Sequence, residues 1–129
     1  MHEPARSIMT PQLRLTAMRL GNALAPLHRL DHNMRLRVVR MFLLVAQEGG
    51  LTVGELAERS GVWKTLASRY LSDLGTIDRH GKPGLGLIMM VQRVYGDRRE
   101  RHVYLTESGL EMVDQIRVAL TEPRPRRRF

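Results

Sequence analysis

Between positions 64 and 72 the chain sets Lys64, Thr65, Ser68, Arg69 and Ser72 at i, i+1, i+4, i+5 and i+8, a spacing that gathers them on one face of a helix. Cations and small hydroxyls on such a face suit hydrogen bonds to phosphate oxygens and to base edges. Further along stands a second basic group, Arg98, Arg99 and Arg101, beside Asp97. Guanidinium groups on a charged hairpin tip suit contact with a polyanion such as DNA. The bland alternatives are a solvated hairpin tip and a helix face used only for protein contacts. No nucleophile–base set or metal cluster accompanies these residues, so the reading is of a binding protein, not an enzyme, with no cofactor and no metal. His28 and His32 lie four apart beside Asp31, a spacing that offers two metal ligands on a helix; a new helix starting at Asn33 favours exposed surface histidines instead.

Positioning these groups requires particular elements. Thr52 followed by Glu55 is a capping-box signature, so a helix begins at Val53, with Leu56 and Ala57 as its apolar face. Gly61 sits where the chain must turn sharply. The next helix carries Ala67, Tyr70, Leu71 and Leu74 at i, i+3, i+4 and i+7, which turns that stripe to the core and the polar face outward. Two short helices about a glycine turn make a helix-turn-helix, an arrangement usually used on DNA. Trp63, just before the second helix, has two readings: a staple packed on the first helix, or a ring against a sugar–phosphate edge.

The flanking chain supplies a frame. Residues 1–9 lack periodicity and read as a flexible arm; 10–120 form one domain; 121–129, with Arg124, Arg126, Arg127 and Arg128, read as a basic tail that adds non-specific phosphate affinity. Thr10 and Pro11 start a helix running to Leu30, kinked or split at Pro26. A second helix over Asn33–Glu48 is apolar almost all round at Val38, Val39, Met41, Phe42, Leu43, Leu44 and Val45, and belongs in the middle of the structure. Gly75–Gly86 is a loop, and its Lys-Pro-Gly-Leu-Gly run lacks the sequel of a phosphate-binding P-loop. Leu87–Tyr95 reads as a strand with Met89 and Met90 as core fillers, Gly96–Glu100 as a polar turn, and Arg101–Leu105 as a second strand. Thr106 caps a last helix, Glu107–Leu120, with Leu110, Val113, Ile116, Ala119 and Leu120 at helical spacing. The expected fold is mainly α with a small β-hairpin.

Composition agrees with a nucleic-acid partner. The net charge is +8 and the pI near 11.1, and Lys64 and Lys82 are the only lysines among 21 basic residues, so the charge is carried by arginine. With no cysteine, disulfides and thiolate zinc sites are excluded. No apolar run is long enough to span a bilayer and the N-terminus has no signal-peptide pattern, so a cytoplasmic protein without a membrane partner is expected.

From about Leu51 to Leu110 the sequence resembles the MarR family of winged-helix transcriptional regulators. Leu51–Leu74 is similar to that family's helix-turn-helix, and Asp97-Arg98-Arg99, Val103-Tyr104-Leu105-Thr106 and Gly109 are similar to its wing pattern D-x-R…V-x-L-T…G. The resemblance implies a homodimer held by the N- and C-terminal helices, recognition helices in two major grooves and wing tips at the minor groove. It also implies a small-molecule effector at the helical junction. Arg99 matches the wing arginine that enters the minor groove, and Asp97 the aspartate that holds it. Trp63 stands where a capping serine is common and Leu66 where a small hydroxyl residue is, although Leu66 could meet a thymine methyl. The Gly75–Gly86 loop is longer than usual and the last helix shorter, which weakens the dimer or shrinks a ligand cavity. The expected function is therefore a sequence-specific, double-stranded-DNA-binding transcriptional regulator acting as a homodimer on a pseudo-palindromic operator. Its rivals are an accessory factor of a phage, plasmid or other mobile element without effector, and a protein-interaction module.

Overall fold

The apolar run on the second helix decides where the core forms. The computed structural model describes residues 8–77 and 80–123, and among them it has helices α1 (Pro11–Leu30), α2 (Leu36–Gln47), α3 (Val53–Ser60), α4 (Lys64–Leu74) and α5 (Glu107–Thr121). Strands β1 (Leu51–Thr52), β2 (Ile88–Tyr95) and β3 (Arg98–Leu105) complete it. α2 buries Val38, Val39, Met41, Phe42 and Val45, and α3 and α4 pack on it with Leu56, Ala57, Ala67, Tyr70, Leu71 and Leu74. The hairpin closes this lobe with Ile88 and Val103, both wholly buried. Removing each large aliphatic or aromatic side chain from water contributes about 1.5–3 kcal/mol.

The helix-turn-helix forms as its sequence dictates. Thr52 Oγ1 accepts from Glu55 N at 3.1 Å while Glu55 Oε1 accepts from Thr52 N at 3.0 Å, a complete capping box. Gly61 takes the left-handed conformation, φ 71°, that lets the chain leave α3 and start α4.

The sheet has three antiparallel strands in the order β1-β3-β2, one more than the expected hairpin. Leu51 pairs with Val103 and Thr52 with His102, so the two residues before α3 are stitched to the wing. The hairpin turn is also tighter than Gly96–Glu100: Tyr95 pairs with Arg98, leaving only Gly96 and Asp97 between the strands. Arg98 and Arg99 thus belong to a strand.

Other boundaries move for local reasons. α2 starts at Leu36, because Asp31 first makes a turn, its carboxylate accepting from Asn33 N at 2.9 Å and its carbonyl from Met34 N at 3.1 Å. α1 passes through Pro26 without splitting. That proline has no N–H for the Asn22 carbonyl, and the buried Asn22 Oδ1 also has no hydrogen-bond partner among the described residues. Past the loop the chain returns to the end of α4: Leu85 N, Gly86 N and Leu87 N donate to the carbonyls of Asp73, Gly75 and Leu74 at 3.0, 2.9 and 2.8 Å.

α5 is fastened to the hairpin at its first turn. The Thr106 hydroxyl accepts from Gly109 N at 3.1 Å and donates to the Gly86 carbonyl at 2.6 Å. Gly109 lies so close to the hairpin that a Cβ there would overlap the Leu87 carbonyl oxygen. The buried face of α5 is Gly109, Met112 and Ala119, with Val113 and Ile116 half-buried; Leu110 and Leu120, expected on the inner stripe, are exposed. α1 packs along α5, burying Asn22, Ala23, Pro26 and Leu27, and turns Leu13, Leu20 and Leu24 outward. With Ala17 these fall at i, i+4, i+7 and i+11, an unpartnered apolar stripe along α1. Among the described residues no helix is long and apolar enough to cross a membrane. Residues 1–7 of the expected arm and the arginines of the tail lie outside the described residues.

Candidate nucleic-acid interface

Burial of one side of α4 fixes what the other side presents. With Ala67, Tyr70, Leu71 and Leu74 inward, Lys64, Thr65 and Arg69 are exposed and Ser68 and Ser72 half-buried. Among the described residues Lys64, Thr65 and Arg69 have no side-chain hydrogen bond or ion pair, so these donors are available to a ligand. The N-terminus of α4 points the same way. Its cap, Trp63, offers no side-chain hydrogen bond, and the backbone N–H groups of the first turn are left for an outside acceptor.

Trp63 itself is 83% exposed, which overturns the staple reading. Leu66 goes the other way. It is half-buried against the core cluster, and little of it remains for a thymine methyl. The apolar character of this reading head therefore comes from Trp63.

Strand alternation sorts the wing arginines onto two faces. Arg99 and Arg101 follow the parity of the buried Val103 and turn toward the helices. Arg101 donates from Nη2 to Ser68 Oγ at 3.4 Å and from Nη1 to Met90 Sδ at 3.8 Å, which ties the hairpin to α4. A groove of about 750 Å³ runs between the two, lined by Thr65, Ser68, Arg69, Ser72, Met89 and Arg101. A smaller cleft of about 130 Å³ brings Lys64, Arg99 and Arg101 to the Thr52–Gly54 segment at the start of α3. Arg98 lies on the opposite face, 3.8 Å from Glu100 Oε1 and with its guanidinium 6.0 Å from the Tyr95 ring centroid. Asp97 occupies the turn, and no ion pair joins it to Arg99 among the described residues.

Two wing residues escaped the sequence reading. Met89 was expected in the core but is 47% exposed at the rim of the groove, where it pairs with Tyr104 on the other strand face, leaving Met90 as the core filler. Arg93 adds a cation to the hairpin, its Nη2 donating to Tyr104 Oη at 3.2 Å, and that bond raises the arginine's pKa from its ordinary value. The polar pair Gln92-Arg93 near the end of an otherwise apolar strand was the available signal. His28 and His32 stack with ring centroids 5.0 Å apart, and among the described residues no group of three or more metal-binding side chains forms.

No family model and no curated protein matches the chain. Solved structures do. The chain is similar to RV1404 from Mycobacterium tuberculosis, with a TM-score of 0.64 and 20% identity over 91% of this chain and 78% of that one. It is similar to the transcriptional repressor CouR bound to a 23-mer DNA duplex, with a TM-score of 0.57 and 22% identity over 86% of this chain and 68% of that one. A third likeness is to MarR, with a TM-score of 0.56 and 25% identity over 85% of this chain and 75% of that one.

Proposed function

From a chain that has the winged-helix fold of the MarR-family regulators, we propose a transcriptional regulator that binds double-stranded DNA in a sequence-specific manner. It acts as a homodimer on a pseudo-palindromic operator whose half-sites lie about 34–36 Å apart. One observation carries the reading: the polar face of α4, with Lys64, Thr65 and Arg69 unpaired among the described residues, and the helix-facing wing arginines converge on one side of the lobe. On this reading Lys64, Thr65, Ser68 and Arg69 read the major groove, and Trp63 lies against the backbone. Arg99 and Arg101 serve the adjacent phosphates or minor groove, and Arg98 is peripheral. The outward stripe of Leu13, Leu20 and Leu24 on α1 supports the second copy.

An effector would act by changing the spacing between the two recognition helices. A cavity of about 260 Å³ lined by Arg37, Arg40, Leu44, Val62 and Tyr70 adjoins the turn that aims α4 and has room for a small anionic molecule.

A titration with duplex DNA over a salt series tests the reading. The expected result is one protected palindrome and an affinity that falls steeply with salt. Undetectable duplex binding at low salt would remove the DNA reading and leave an interaction module; sequence-indifferent binding would favour an accessory factor. Within that assay Arg99→Ala is expected to weaken operator binding about tenfold without changing the melting temperature. Arg98→Ala, on the other face, should change it far less. Equal losses would show that the two faces of the wing do not differ in function.

A further inference from the structure

The residue that joins the wing to the helix-turn-helix has an incomplete hydrogen-bond set. His102 sits on β3 between Arg101 and the buried Val103, and pairs across the sheet with Thr52, the cap of α3. Its side chain is 15% exposed. Nδ1 lies 2.7 Å from the Gly50 carbonyl oxygen. A carbonyl only accepts, so Nδ1 carries the proton. On a neutral ring Nε2 is then a bare lone pair, buried and without a hydrogen-bond partner among the described residues, and the group in front of it is the Glu100 carboxylate, with Oε2 at 3.4 Å. Two acceptors face each other. A second proton on the ring turns that opposition into a charge-assisted donor–acceptor pair and completes the set.

Facing the ring are Glu100 and, beyond it, Arg98 from β3; Tyr95 from β2, whose ring centroid lies 6.4 Å away; and Glu55 from α3, whose carboxylate feels the charge on His102. Gly50 N also donates to the Val103 carbonyl at 2.8 Å, so both ends of the contact lie where β1 meets β3.

We propose that His102 is a positioning residue which, when protonated, clasps the wing to the strand leading into α3 and holds Arg99 and Arg101 in place beside α4. The Nδ1–H bond to the Gly50 carbonyl is present in either state; the second proton adds the Glu100 partner that fixes the ring in that seat. Only the consequence for affinity rests on the DNA-binding reading; the clasp itself does not.

The test compares the full chain with His102→Gln and Glu100→Gln across about pH 5 to 8 at constant ionic strength. Melting temperature and affinity for an operator duplex are both read. From the acid end to the alkaline end the unmodified chain is expected to lose about 3 °C more than His102→Gln and to weaken about threefold more on DNA. Glu100→Gln keeps the ring but gives it an amide N–H to accept from when neutral, so both pH profiles should flatten. Parallel melting profiles for the unmodified chain and His102→Gln would overturn the clasp. A Glu100→Gln affinity profile as steep as that of the unmodified chain would overturn it too, because the ring's charge alone would then be acting. A pH-dependent melting difference with no matching affinity difference would overturn the positioning of the wing arginines. If no duplex binds at any pH, the DNA reading fails while the melting profiles still decide the clasp.

Discussion

Leu71 on α4 and Leu20 on α1 are the same side chain on the same kind of helix, yet Leu71 is wholly inside the molecule while Leu20 is 53% exposed. The contrast extends to the regions around them. In the winged lobe Phe42, Leu56, Leu74, Ile88 and Val103 are also shut away completely. In the α1–α5 layer Leu13, Leu24, Leu110 and Leu120 remain at the surface, and the buried side of α1 relies on Ala23, Pro26, Leu27 and a polar Asn22. A lobe with a closed core holds its shape alone. A layer whose aliphatic side chains face outward gains most from meeting another surface, and on the proposed function such a frame would carry the lobe that aims α4 and the wing at DNA.

Cavity formation gives the largest effect and breaks the comparison most directly. Leu71→Ala leaves a void among α2, α4 and the hairpin, and should cost about 3–5 kcal/mol of stability. Leu20→Ala should cost no more than about 0.5 kcal/mol in the monomeric chain, as surface substitutions do. Urea unfolding of both variants at low protein concentration measures the two values. Similar losses would mean that the α1 stripe is covered within a single chain.

The elements that could be read from the sequence were those whose causes are local. Thr10, Thr52 and Thr106 each cap the helix expected of them, and the Ala67–Leu74 stripe turned inward as its period required. β1 was invisible because two residues carry no periodicity, and its pairing depends on Val103 and His102 far along the chain. The short wing turn was hidden for a related reason: Arg98 and Arg99 look like turn residues by type, but cross-strand pairing with Tyr95 and Val94 makes them a strand. For the interface, the polar face of α4 followed from spacing alone. The two-faced sorting of the wing arginines did not, since it needs the strand's true start. Leu110 and Leu120 were misplaced because a helical stripe shows which residues share a side and not which side meets a neighbour.

A milder change sharpens the contrast by acting on the layer alone. Leu20→Asp combined with Leu24→Asp places two carboxylates on the outward face of α1, where association would have to bury them. If the chain forms the proposed homodimer through this stripe, sedimentation is expected to show a dimer for the unmodified chain and a monomer for the variant at the same concentration, with operator affinity reduced and the melting of the winged lobe preserved. A variant that still sediments as a dimer would put the interface somewhere other than this stripe.

The smallest effect separates the two regions by how their helices begin. α3 starts on a capping box that includes a carboxylate, whereas the first turn of α1 has no acidic residue and its cap Thr10 only accepts from Leu13 N. Glu55 is held below the usual carboxylate range by the hydrogen bond from the Thr52 backbone N–H, with the Thr52 side chain adding to it. A carboxyl whose pKa is lowered on folding stabilises the protein above its unfolded value, and that contribution disappears as the pH falls through the folded one. Acid should therefore loosen the start of α3 while leaving the start of α1 untouched. Glu55→Gln keeps an oxygen to accept from Thr52 N but removes the titration, so the variant should be slightly less stable at neutral pH and its stability should fall less in acid. Amide exchange at Thr52 and Leu13 through the carboxylate range follows the two caps separately. A Thr52 amide whose protection declines in parallel with that of Leu13 would show that the carboxylate contributes nothing to the lobe's cap.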